Sequence, residues 1–425
     1  MSAGAVGPTA GAAGPAAGAA GSTDRARLPL LGPRALGRAT LDRQLLLRRA
    51  RCSVPDAVRH LVGLQGQVPA APYIGLWSRL EGFELADLTA PVEDRRIVRA
   101  TAMRATLHLL DADDYRRLRP LLEPVLRRSQ KTFMGRHTEG IDPDDLVAAA
   151  RDLLRERPRD RSELRALLGA RWLGHDPAAL VNSVQYLLPM VQLPPAGTWK
   201  GSVRGPFALA EQWLGQPLAG AGPDELVCRY LAAFGPASVM DVQAWSGLTR
   251  LGEVVEPMRG RLRGFRDASG RELFDLPDAP RPDPDTPAPV RFLPQWDNLL
   301  LSHADRTRVI AEEHRRRIVS PADTATFLID GVARGSWSID RPVRLGASGA
   351  APRPGPVDRP VRLGASGAAP RPGPVGRPGT AALSIRPFDR LSRADGAALT
   401  EEGGRLLAFV APEVDEPEIR FERGR

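Results

Sequence analysis

The chain has 425 residues, 26% charged and 42% hydrophobic, with a formal charge of +9 and a pI near 10.5. That is enough length for several hydrophobic cores. The basic balance favours an anionic partner, nucleic acid first, although Lys131 and Lys200 are the only lysines, so the excess is arginine of the kind a GC-rich coding preference produces. No apolar run reaches the roughly 18 residues of a membrane span, and two cysteines, Cys52 and Cys228, supply neither a zinc ribbon nor a disulfide scaffold. The expectation is a cytoplasmic, nucleoid-associated protein.

Residues 1–36 are rich in Ala, Gly and Pro, lack the basic and Leu-rich parts of a signal peptide, and read as a disordered leader. From residue 37, Leu41, Leu45 and Leu46 fall at helical spacing. SVPDAVRHLVGLQ starts a second helix, with Ser53 as N-cap and Asp56 three residues on. PYIGLWSRL reads as a third helix, DRRIVRA as a fourth, and MRATLHLL as a strand. That order is the order of a winged-helix unit, placed at 37–130. A second unit at 131–221 has three helices (DPDDLVAAARDLL, RSELRALLGARW, PAALVNSVQYLLPM), then two strands around a Pro/Gly-rich turn in VQLPPAGTWKGSVRGPFALA. A third, 222–276, carries GPDELVCRYLAAF, PASVMDVQAWSGL and TRLGEVVEPMRG, then a hairpin with Asp-Ala-Ser-Gly at its turn. A Pro-rich linker, 277–289, leads to a C-terminal segment, 290–425, of short strands that include LLAFVAPE. It is interrupted by DRPVRLGASGAAPRPGPV, which occurs twice in tandem between 340 and 375 and reads as a disordered surface insertion.

Six blocks, in order, carry a resemblance: LVGLQGQVPAAPYIGLWSRL, TAMRATLHLL, VQLPPAGTW, YLAAFGPASVMDVQAWSGL, LPQWDNLLLSHADR and FLIDGVARGSW. Together they resemble the bacterial winged-helix family that contains the AlkZ/YcaQ-type DNA glycosylases. The resemblance runs from about residue 37 to 425 outside the duplicated insert. It implies an α+β fold of three tandem winged-helix units plus a small C-terminal β-barrel, forming a basic channel for duplex DNA. It also implies excision of cationic N-alkylated purines, including unhooking of interstrand crosslinks, by a Gln-apolar-Gln or Gln-apolar-Asp signature. Gln65 and Gln67 match the outer positions; Gly66 departs from the apolar middle, and a glycine there is expected to loosen the backbone.

A non-titrating pair suits such a substrate. Alkylation leaves the base positively charged, so it departs without a general acid, and the sugar cation needs no strong base to bring in water. Carboxamide oxygens can hold that water and present a dipole to the sugar. The bland alternative is that Gln65 caps a helix end and Gln67 is solvated. Strand alternation in MRATLHLL would put Arg104, Thr106 and His108 on one face, toward DNA. Trp199, Lys200 and Arg204 cluster on a hairpin suited to groove insertion, and Trp296, Asp297 and Arg306 to a channel wall. His303 and Asp305 are too thin a set for a metal, and HRRR (314–317) reads as a solvated helix end or a phosphate contact. There is no Walker loop, dinucleotide fingerprint or HExxH motif, so no cofactor or metal is expected. Neither lysine falls near the glutamines, which predicts a monofunctional enzyme acting as a monomer on alkylated or crosslinked duplex DNA. The rival reading is a non-enzymatic winged-helix protein, a transcription regulator or a lesion-sequestering resistance protein.

Overall fold

The computed structural model describes residues 28–199, 201, 204–318, 324–340 and 381–422. Lys200 and all of the duplicated insert beyond Asp340 lie outside these residues, as does the leader up to residue 27. Ordered structure begins before residue 37: Leu31 N–H bonds Arg266 O, and α1 starts at Pro33 (Pro33–Arg43). Mixed α and β elements follow, as α+β requires.

The first segment runs α2 (Val54–His60), β1 (Leu64–Gln65), α3 (Ala71–Arg79), α4 (Leu85–Glu93), β2 (Ile97–Thr101), a tight 3-10 turn (Met103–Ala105) and β3 (Leu107–Asp111). Ser53 caps α2 through a bond from Asp56 N–H, as its sequence predicts. Two expectations are corrected here. DRRIVRA forms β2, not a helix, because Ile97–Thr101 is buried along its whole length between two other strands. MRATLHLL is not one continuous strand: Arg104 and Ala105 adopt left-handed backbone (φ 52 and 58), so the alternation begins only at Leu107. Helices α5 (Ala112–Leu121) and α6 (Glu123–Met134) then lead into the second segment.

That segment is α7 (Pro143–Glu156), α8 (Arg161–Arg171), α9 (Pro177–Leu187), β4 (Met190–Gln192), β5 (Phe207–Leu209) and the short α10 (Ala210–Leu214). Asp142, Asp160 and Asp176 cap its three long helices. Its hairpin does not stand alone. β4 pairs with β2, so the two segments share one five-stranded sheet in the order β1-β3-β2-β4-β5. The third segment contains α11 (Pro223–Phe234), α12 (Val239–Ser246), α13 (Gly252–Val255) and the separate hairpin β6 (Arg263–Arg266) and β7 (Glu272–Asp275). Its α11 and α12 pack on the shared sheet through Tyr230, Phe234 and Trp245 against Val98, Ala100 and Leu110.

The Pro-rich stretch after β7 is strapped along α1. Arg34 donates to Pro284 O, Arg38 to Thr286 O and Arg43 to Pro280 O. Beyond it lie β8 (Arg291–Leu293), α14 (Asn298–Leu301), β9 (Thr326–Ile329), β10 (Val332–Asp340), β11 (Ala382–Pro387), α15 (Arg393–Val410) and β12 (Glu418–Phe421). LLAFVAPE is the end of α15 and not a strand; its apolar face packs Leu399, Leu406 and Leu407 against the sheet and the first segment. The strands form one sheet, β12-β11-β10-β9-β8, which does not close into a barrel among the described residues. No described helix is long and apolar enough to cross a membrane.

Candidate active site

Gln65 lies on β1, not at a helix end. It is paired across from His108 on β3 and is 4% exposed. Its Oε1 accepts from Arg104 Nη2 at 3.0 Å. Gln67 is half-buried just past the strand, and its Oε1 accepts from the Leu107 N–H at 2.8 Å. Gln65 is therefore held by the turn before β3 and Gln67 by β3 itself, in place of the helix cap and solvated side chain of the alternative. Gly66 between them is held as well. Its N–H donates to Leu107 O at 2.7 Å and its carbonyl accepts from Arg99 Nε at 2.9 Å. A Cβ at Gly66 would lie 3.3 Å from the His108 and Leu109 backbone, so glycine lets β1 close on β3 rather than loosening it.

Arg104 reaches Gln65 because of the left-handed turn it occupies. That turn is fastened by Thr106, whose N–H and Oγ1 both reach Met103 O at 3.1 Å, and by Ala102 N–H to Thr106 O. The other guanidinium nitrogen donates to Trp245 O at 2.6 Å. This carbonyl belongs to the last turn of α12, where the helix dipole is negative and favours a cation. Burial still pushes the Arg104 guanidinium down to about 10, with Tyr230 opposing the shift.

His108 is 1% exposed, and burial, with the Arg104 charge beside it, pushes its imidazole down to about 3, so it is neutral at physiological pH. Its Nδ1 lies 2.9 Å from Thr106 O. A carbonyl can only accept, so Nδ1 carries the proton. His108 Nε2 and Gln65 Nε2 are buried with no hydrogen-bond partner among the described residues. Gln67, Val68, Thr106 and Leu107, within three residues of them in sequence, are half-buried.

The glutamine turn, Arg104, Thr106 and His108 thus come together, but by a turn and a strand rather than by one strand face, and His108 is buried rather than presented toward DNA. The other predicted contacts do not join them. Trp199 packs on Tyr73 and Phe409 at 5.5 and 5.7 Å between ring centroids, so its ring is committed to an aromatic cluster and not to a hairpin tip. Arg204 is exposed. Asp297 makes a two-pronged ion pair with Arg79 at 2.8 and 2.9 Å and caps Leu299 N–H, a buried structural role in place of a channel-wall one. Trp296 is half-buried with φ 63. Arg306 is half-buried, its charge disfavoured by burial and by Arg315. His303 is structural: Nε2 donates to Phe234 O at 3.1 Å, and burial holds it down to about 3. In HRRR, His314 bonds Asp389 and Arg315 bonds Glu312.

Sequence reading missed Arg99, which braces the glutamine turn from β2. Besides Gly66 O it reaches Gln192 of β4, and burial pushes it down to about 10. No local signal marks it, since buried arginine is rare.

The chain as a whole is similar to known proteins. The family model for AlkZ-like DNA glycosylases matches residues 58–349, and the chain belongs to that family. An interstrand DNA cross-link repair glycosylase of Streptomyces sahachiroi is 25% identical over 331 residues, covering 70% of this chain and 85% of that protein. The solved structure of the Streptomyces sahachiroi DNA glycosylase AlkZ superposes with a TM-score of 0.69 at 20% identity, over 92% of this chain and 100% of that one, a likeness of fold.

Proposed function

We infer that this protein is a monofunctional DNA glycosylase that releases cationic N-alkylated purines from duplex DNA, with interstrand crosslinks among its substrates. One observation carries the reading: in a chain of this family, the Gln65–Gly66–Gln67 turn is fastened at every residue, by Arg104, Arg99 and the Leu107 N–H, with Gln65 Nε2 and His108 Nε2 buried and without a partner among the described residues. Such preorganisation is what electrostatic catalysis requires. The alkylated base leaves as a neutral molecule, so no acid is needed, and among the described residues the only lysine, Lys131, lies on α6 rather than in the glutamine turn. An intact abasic backbone is the expected product. Both glutamine oxygens already accept one protein hydrogen bond, and each keeps a second lone pair to face the sugar cation. The helix-plus-hairpin segments support three winged-helix units that grip the duplex backbone, with the protein acting as a cytoplasmic monomer.

The test is base release from a duplex carrying a single N7-methylguanine, read as an alkali-labile site, for wild type beside Gln65→Ala and Gln67→Ala. Release by wild type and a loss of at least about 100-fold in both variants is expected. Release that survives both substitutions keeps the activity and removes this mechanism. Duplex binding without release, from this lesion and from a crosslink, favours a regulator or a sequestering protein.

A further inference from the structure

Each glutamine oxygen already accepts one protein hydrogen bond, whereas the acceptor beside them with no bond at all among the described residues is His108 Nε2. The two unpartnered atoms are complementary. Arg104 can only donate, so it takes the oxygen of Gln65 and leaves the amide N–H2 at the other end. Thr106 O takes the His108 Nδ1–H and leaves Nε2 as a bare lone pair. The two residues are direct cross-strand partners, and the Gly66 N–H to Leu107 O bond makes theirs a non-hydrogen-bonded pair. Such pairs place their Cα atoms roughly 4.5 Å apart with side chains on one face. One donor and one acceptor thus lie on the same face of the β1–β3 pair, both buried and without a partner among the described residues, a costly arrangement unless a ligand satisfies them.

We propose that Gln65 and His108 together clamp the nucleophile, a water that accepts from Gln65 Nε2–H and donates to His108 Nε2. This rests on the glycosylase reading above. The water oxygen forms its bond to C1′ as the C1′–N9 bond breaks. The electrons of that bond return to the alkylated purine and cancel its charge. The spare proton of the added water passes to His108 Nε2 and from there to solvent. An oxonium on C1′ is a far stronger acid than an imidazolium, so a weakly basic buried histidine suffices to take it. Arg104 is a positioning residue in this scheme, fixing which end of the Gln65 amide faces the water.

The experiment compares single-turnover release of N7-methylguanine, with duplex affinity measured separately, for wild type, Gln67→Ala, His108→Phe and His108→Gln. His108→Phe keeps bulk and removes the acceptor; release should slow about 100-fold with duplex affinity unchanged. His108→Gln supplies an amide oxygen as acceptor and should restore most of the rate. Wild-type rates in His108→Phe, or equal loss in both histidine variants, overturn the clamp. If Gln67→Ala is inactive while His108→Phe is not, the clamp fails alone; if wild type releases nothing, the clamp and the glycosylase reading fall together. Nitrogen NMR of the unaltered protein needs no variant to fold: Nδ1 protonated and Nε2 bare at neutral pH is expected, and a protonated Nε2 overturns the proposal.

Discussion

Arg104 occupies a backbone conformation that side chains disfavour, and Ala105 beside it does the same. Each such residue costs of order 1–3 kcal/mol, and strain of this kind persists where surrounding bonds over-determine it. Here the return is the bond to Gln65. Arg104→Met should therefore slow base release at least about tenfold while leaving duplex affinity near wild type, with kcat and KM measured separately to show it. The buried histidines set a different prediction. His108 and His303 are held down to about 3 in the folded chain, whereas both titrate near 6.5 when unfolded. Below 6.5 the unfolded state binds more protons, so stability is fully present above 6.5 and declines as pH falls toward 3. Each histidine contributes up to about 1.4 kcal/mol per pH unit across that window. Urea midpoints measured from about pH 7 to about pH 4 should fall, and His108→Gln should make the fall shallower.

At the scale of elements, the closest fit in the site is β1 on β3. Gly66→Ala would press a methyl on sheet backbone that other strands hold in place, and should cost about 1–3 kcal/mol and displace both glutamines. Thermal denaturation beside the base-release assay checks both effects. The Arg79–Asp297 pair ties α3 to the start of α14; Asp297→Ala should leave Arg79 buried and unpaired and cost about 3–5 kcal/mol, measured by chemical denaturation. The helices of the second and third segments, and the β6–β7 hairpin, were legible because their signals are local: apolar spacing, Asp and Ser caps, and an Asp-Ala-Ser-Gly turn. The Gln65–Gln67 spacing was equally local. β2 was not, since five residues with an arginine at their centre and charges beside them fit either element until their neighbours are known. The last helix was hidden for a related reason. Gly403 looks like a breaker, yet it sits where a Cβ would come 2.8 Å from Leu383, and the helix needs that closeness to lie on the sheet. The rest of the site, Arg99, Gln192 and the Trp245 carbonyl, comes from distant segments and backbone atoms, which no local pattern reports.

Across the whole molecule, the charge of +9 is spread over arginines, many of them in ion pairs with acidic neighbours. Duplex binding should weaken steeply as salt rises, with little preference for sequence, whereas a regulator would keep its preferred site; titrations of specific and random duplexes across salt concentrations separate the two. The shared sheet has a further consequence, one of timing. The glutamine turn is braced by Arg99, whose side chain also reaches Gln192, and by Arg104, which needs the carbonyl of Trp245. A growing chain that has emerged through residue 130 holds both glutamines and none of these distant supports. Until β4 arrives, the edge of β2 is open to any other strand. The glutamine turn is thus made before the segments that brace it and set only after they arrive, and a chain released early from the ribosome would carry the motif without its supports.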